Sequence, residues 1–340
     1  AAGIPYDNVS LQKDYEERTH PEGAADWIES TKLVDWGREV KVYEQLPYLG
    51  RESEEPVNLV PGGGASDWPG EPLVADFLME MEPVINLIER ASSHSTPVRF
   101  PVKFDGIGTL HPYHQESRSI QRLLSLDCDF AYFHKDHQRV MRDLSLMEAT
   151  AEAYDGRDCL ISGLVNGALR SIRMSAMRRT LTHCQWSASE LDTLRDSLAL
   201  KEDISARWQY IMLRERAFGL AIVDEPPENL AQAIGQEEQF SRQLKLYTGP
   251  SEVTTLIEAY QKIIELPKGA DISKWKQRGD ALDDWIATLP SNSLAAMLVP
   301  AGYSCLEAEV RVEEIRRWTL TAIAIQQFKL QNERWPKELA

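Results

Sequence analysis

The stretch Glu307–Gln331, EAEVRVEEIRRWTLTAIAIQQFKLQ, is the longest run of this chain that reads as one unbroken element. Its first half is charged, with Glu307, Glu309, Arg311, Glu313, Glu314, Arg316 and Arg317. Its second half is apolar on nearly every side, with Trp318, Leu320, Ala322, Ile323, Ala324, Ile325, Phe328 and Leu330. Between Trp318 and Leu330 only Lys329 is ionised. A helix apolar all round is expected to be buried on most of its surface. The pattern therefore predicts a long C-terminal helix around which the rest of the protein packs. It also predicts that the ring of Trp318 is buried, so that its removal would cost roughly 3–5 kcal/mol.

Working back from this helix, the chain is helical from residue 117 onward. Ile120, Leu123, Leu124, Leu126, Phe130 and Phe133 mark one helix, and Val140, Leu144, Met147, Ala151 and Tyr154 a second. Leu160, Leu164, Ala168, Ile172, Ala176 and Leu181 mark a third, in which Gly163, Gly167 and Ser175 would let neighbours approach closely. These spacings follow the 3.6-residue period. Asp155-Gly156 reads as a turn. Ser187 and Glu190 form the two halves of a capping box. Further helices are expected over 191–200, 204–223 and 252–266, punctuated by Pro226-Pro227, Gly249-Pro250 and Pro267. Residues 271–300, with Trp275, Leu282, Trp285, Ile286 and Leu289, form a weaker region before Pro300-Ala301-Gly302.

Upstream, residues 73–90 form a strong amphipathic pattern through Val74, Phe77, Leu78, Met81, Ile85 and Ile88, with Pro83 expected to kink it. Residues 1–72 are read as an acidic, loop-rich N-terminal segment with short helices, and 73–340 as the helical domain. Within the first 66 residues acids exceed bases by 7. Ala24–Leu46, carrying Trp27, Trp36, Val40 and Val42, is expected to hold one or two short helices. The Pro- and Gly-rich run from Pro56 to Pro72 includes Gly62-Gly63-Gly64 but lacks phosphate-loop spacing, so it reads as a surface loop. Val98–Phe104 reads as extended but too short for a sheet. The fold class is all-α, built of antiparallel helical hairpins, with 117–200 compatible with a short irregular α-solenoid.

Composition narrows the function. The net charge of −16 argues against a nucleic-acid partner. No apolar run approaches the roughly 20 residues of a membrane span. Cys128, Cys159, Cys184 and Cys305 lack metal-ribbon or redox spacing and read as buried thiols, with one disulfide as the alternative. His134 and His137 sit three apart, and His111 and His114 share a loop. Neither pair has a third ligand in its pattern, so no metal, cofactor or catalytic residue is assigned. Arg170, Arg173, Arg178 and Arg179 form a basic helix; Arg170 and Arg173 share a face that could hold an anion, though pairing with this chain's own carboxylates is favoured. Glu215 and Arg216 read as a buried ion pair joining helices. No GxSxG element is present.

The run from His134 to Leu181, the element Leu213-Arg214-Glu215-Arg216-Ala217 and the ending Ala322–Leu339 resemble a type of all-helical protein found in planctomycete bacteria. Those proteins close on a helix reading like "ALERYRLxxGRWPxxL", where Asn332-Glu333 here replaces the Gly-containing pair. The resemblance covers roughly residues 117–339. It implies an extracytoplasmic protein with an N-terminal anchor ahead of Ala1, and no known activity. The ending is also similar, over about twenty residues, to type II secretion pseudopilins. Two expectations follow: a non-catalytic helical interaction or scaffold module with a protein partner, or a helical hydrolase using His111, His114, His134 and His137. Convergence of at least three of those histidines in a concave pocket would favour the hydrolase.

Overall fold

In the computed structural model, the structure describes residues 4–34, 46, 67–106, 109, 111, 113–181, 185–199, 203–224, 250–269, 272–290, 293–299 and 302–338. Among these the protein is all-α: twelve helices hold about 75% of the described residues, and none lies in a strand. In chain order they are α1 (Asn8–Arg18), α2 (Ala24–Leu33), α3 (Glu71–Ser92), α4 (His114–Phe133), α5 (His137–Ala153) and α6 (Leu160–Leu181). They continue with α7 (Ala188–Ser197), α8 (Ile204–Asp224), α9 (Pro250–Ile264), α10 (Ile272–Ala287), α11 (Leu294–Leu298) and α12 (Gly302–Asn332). Trp36, Val40, Val42, Gly62-Gly63-Gly64, Cys184, Pro226-Pro227, Gly249 and Pro300-Ala301, named above, lie outside the described residues.

Local chemistry sets the helix ends. Asp7 caps α1 by accepting from the Ser10 amide at 2.8 Å. Ser187 and Glu190 form the reciprocal box at the start of α7. Proline at the start of α3 fits its first turn. The apolar stripe of α3 is buried as its spacing requires, and the helix continues through Pro83. The turn between α5 and α6 uses Gly156 at φ +73°, where a Cβ would strike the Asn166 side chain.

Two cores result. The first joins α1 to α7, with Leu11, Trp27, Ile88, Ile120, Leu123, Leu124, Leu144, Met147 and Leu169 almost wholly buried. The helices of the acidic N-terminal segment share it through Tyr15 and Trp27. Gln121 stitches it internally, its amide donating to the Met147 and Leu169 carbonyls at 2.9 Å. The second core gathers Trp208, Leu256, Tyr260, Ile263, Trp275 and Leu282 from α8, α9 and α10 with Leu306 of α12. The extended residues 98–104 run against α1. There the Tyr15 hydroxyl accepts from the Phe100 amide at 2.8 Å and donates to its carbonyl at 3.1 Å. As the small residues of α6 suggested, Gly163 faces Ile211 of α8 and Gly167 faces Val312 of α12 at near-contact distance.

The C-terminal helix corrects one expectation. It is long, but it is not buried on most sides. Trp318 is 63% exposed and Leu330 47% exposed, whereas Thr319 and Ile323 are fully buried. The charged half is as deeply set as the apolar half. Glu313 is buried and accepts from Arg316 at 2.6 Å and Arg317 at 2.7 Å, while Arg316 donates to the Leu198 carbonyl at 2.9 Å. Further along, inward polar groups anchor the helix: Gln326 donates to the Leu181 carbonyl and Gln327 to Asp192. A single stripe meets α6 and α7, and the mean apolarity of the sequence does not reveal which stripe that is.

Candidate functional site

The histidine pool divides. His111 and His114, the latter opening α4, stack face to face with ring centroids 4.7 Å apart. The start of α6 meets them: Cys159 Sγ lies 3.6 Å from His111 Nε2, and Ser162 Oγ lies 3.1 Å from His114 Nε2 and 3.4 Å from Cys159 Sγ. Burial lowers both histidines, His114 to about 4 with help from the charges of His111 and Arg118. Burial, reinforced by Glu215, pushes the Cys159 thiol up to about 12. At neutral pH the rings are therefore neutral and the thiol protonated, so the quartet is an open chain of hydrogen bonds, His111 to Cys159 to Ser162 to His114, with the two rings stacked, rather than a thiolate–imidazolium pair. The adjoining cavity is about 20 Å³, bounded by Tyr15, Phe100 and Tyr154. That is room for about one water and no substrate.

His134 and His137 lie elsewhere. His134 follows α4, with Nε2 3.1 Å from a Glu71 oxygen and its ring against Phe130 and Phe133. His137 opens α5 and packs on Trp186. Two of the four histidines thus converge, short of the three that would favour a hydrolase. Among the described residues no group of three or more His, Cys, Asp or Glu is placed to hold a metal ion. Cys128, Cys159 and Cys305 are free and buried.

Glu215 does not pair with Arg216 in the described contacts. Its carboxylate accepts from the Leu160 amide at 2.9 Å, capping the first turn of α6 where exposed N–H groups favour an anion. Its neighbour Arg214 turns to α1, with Nη2 2.5 Å from Asp14 and the guanidinium 3.2 Å from the Tyr210 ring centroid. Arg18 completes this knot by binding Asp14, Asp155 and Asp158.

The basic helix behaves less uniformly than expected. Arg173 is spoken for by Glu148 at 2.9 Å, the Leu144 carbonyl at 3.0 Å and Ser197 at 2.7 Å. Arg179 binds Asp129 at 2.8 Å. Arg178 reaches Ser175. Arg170 has no hydrogen bond or ion pair among the described residues, and its Nε is buried. It lines a cleft of about 710 Å³ between α5, α6, α8 and α12, closed at one end by the residues after α7. Arg207 of α8 enters the same cleft, tethered to Asn166 at 3.0 Å; its Nε, 3.7 Å from Glu309 of α12, makes no hydrogen bond. Sequence reasoning picked Arg170 and Arg173 but missed Arg207 and Glu309, whose separation along the chain left no local signal. No family model, curated protein or solved structure matches the chain.

Proposed function

We propose that this chain is a non-catalytic α-helical interaction module whose binding face is the outer side of α12, and that its occupant is an acidic amphipathic segment of another protein. One observation carries the reading. Helical spacing sets Trp318, Ile325 and Phe328 on one side of α12, where Trp318 is left 63% exposed and Ile325 and Phe328 are half-buried. Cations border this patch. Lys329 Nζ stands 4.2 Å from the ring centroid of Trp335, itself 52% exposed, and the Arg334 guanidinium lies 5.9 Å from that of Phe328. Residues 311–338 hold six basic and four acidic side chains in a chain with 37 and 53. Aromatic anchors with a basic rim suit an acidic partner. The resemblance to planctomycete proteins supports an extracytoplasmic setting, which cell fractionation with an antibody to this chain would check.

Fluorescence anisotropy with a labelled acidic amphipathic peptide tests the face. Saturable binding is expected, weakened about tenfold or more by Trp318→Ala, with a basic counterpart peptide not binding. Equal binding of both peptides, or none of either, overturns the reading. So does a Trp318-dependent dimer in sedimentation velocity, which would make the occupant a second copy.

A further inference from the structure

The cleft beside Arg170 lies on the opposite side of α12 from the proposed docking face, and its chemistry is independent of that face. A guanidinium carries five N–H donors in a planar fork. In Arg170 none of them is used within the described protein. The carboxylates whose charge reaches it, Glu148, Glu309 and Asp155, form no ion pair with it. Glu148 is held by Arg173 at 2.9 Å, and Asp155 by Arg18 at 2.5 Å and Arg157 at 2.6 Å. Glu309 faces Arg207. Glu148 and Asp155 are thus committed elsewhere, Glu309 is shared by the charges of Arg207 and Arg170 without a hydrogen bond to either, and a second cation stands close by. Burial and the like charge of Arg207 both lower Arg170 from the ordinary arginine value. Two guanidiniums with free donors, facing one half-enclosed space, are an arrangement that an anion between them relieves.

The geometry points to an oxyanion site in this cleft, with Arg170 and Arg207 as the donors and a small polar molecule bearing one compact phosphate or carboxylate head as the ligand. Arg173 braces the floor through bonds it has already made. A space of about 710 Å³ is the size of a small-molecule site. Glu148, Glu152, Glu309 and Glu313 also line the walls, and their negative charge repels a polyphosphate or nucleic-acid backbone. A phosphate ester or a hydroxy acid with a single anionic end fits these walls.

Calorimetric titration of the full chain, in low-salt buffer free of phosphate and sulfate, tests the site. Glycerol 3-phosphate and glycerate are the two arms, and glycerol is the neutral control. At least one arm should bind saturably, one per chain, and which arm binds distinguishes a phosphate from a carboxylate head. Glycerol should not bind. Arg170→Gln should weaken binding by about ten- to hundredfold, the effect of removing charge-assisted hydrogen bonds. Arg207→Gln should act in the same direction, and Arg311→Gln should change nothing. Arg170 has no partner to lose among the described residues, so the unliganded Arg170→Gln variant should melt no lower than the wild type. The proposal is overturned if neither oxyanion binds, if binding survives Arg170→Gln, or if that variant is destabilised without ligand as a structural arginine would be.

Discussion

Replacing Ile323 by alanine should destabilise the protein far more than replacing Trp318, although tryptophan is the larger side chain. Ile323 is fully buried where α12 meets the first core, and Trp318 is 63% exposed. Removing three carbons from a closed site loses their transfer free energy and leaves a cavity, about 2–5 kcal/mol for Ile→Ala. Removing a ring that stands mostly in water loses only the contacts at its base, below about 1 kcal/mol. Urea unfolding followed by circular dichroism at constant m would separate them, since a shift in midpoint then reads stability directly. The expected order is Ile323→Ala well below the wild type, with Trp318→Ala close to it. If Trp318→Ala unfolds at the lower urea concentration, α12 is buried on the other side, and both the packing described here and the proposed docking face are wrong.

Burial pushes the Glu215 carboxyl upward while the Leu160 amide holds it down, and burial is the larger effect. A carboxyl raised on folding contributes stability that is full below its ordinary value of 4.5 and is lost as pH rises through the folded value. Glu215→Gln, which cannot ionise, should therefore gain on the wild type as pH rises from 4.5 to neutrality; a difference that is flat or falls with pH refutes this. Ser187→Ala removes the cap of α7 and should cost about 1 kcal/mol in thermal or chemical unfolding. Gly156→Ala combines a φ of +73° with a Cβ only 2.4 Å from Asn166 Cβ, and should cost more than about 2 kcal/mol or yield insoluble protein. An Ala variant as stable as the wild type would mean that the turn is built differently.

Much of the fold was legible because burial is periodic where a helix has one wet face. Val74, Phe77, Leu78, Met81, Ile85 and Ile88 lie on one stripe of α3, and the structure buries all six. Ser187 and Glu190 mark a start by chemistry alone. The C-terminal helix failed for the converse reason. When apolar residues surround a helix, the pattern has no phase, and the packed stripe is chosen by partners distant in sequence, here α6 and α7. Glu313 shows the same limit from the charged side: it is buried because Arg316 and Arg317, three and four residues on, reach back to it. The knot of Arg18 with Asp155 and Asp158 spans 137 and 140 residues, beyond any local reading.

The two candidate sites differ in what they leave unfinished, and that difference decides between them. His111, His114, Cys159 and Ser162 are the residue types that usually announce chemistry, yet each finds its partner within the quartet, and the space beside them holds about one water. A bonded chain without room gains little from a ligand, even though the Tyr154 hydroxyl on the wall of that space is buried with no hydrogen-bond partner among the described residues. The arginine cleft contains no nucleophile–base pair among its described residues, and only half of it was visible in the sequence. It nevertheless has volume and donors that the described residues do not use. A buried donor without a partner carries a desolvation cost of about 1–3 kcal/mol, more when charged. Such a group is completed by water or by a ligand, or is held unpaired by the bonds around it. Around Arg170 the neighbouring bonds run between other pairs, Arg173 with Glu148 and Arg18 with Asp155, and none of them constrains Arg170 itself. We therefore propose the ligand site at Arg170 and Arg207 rather than at the histidines.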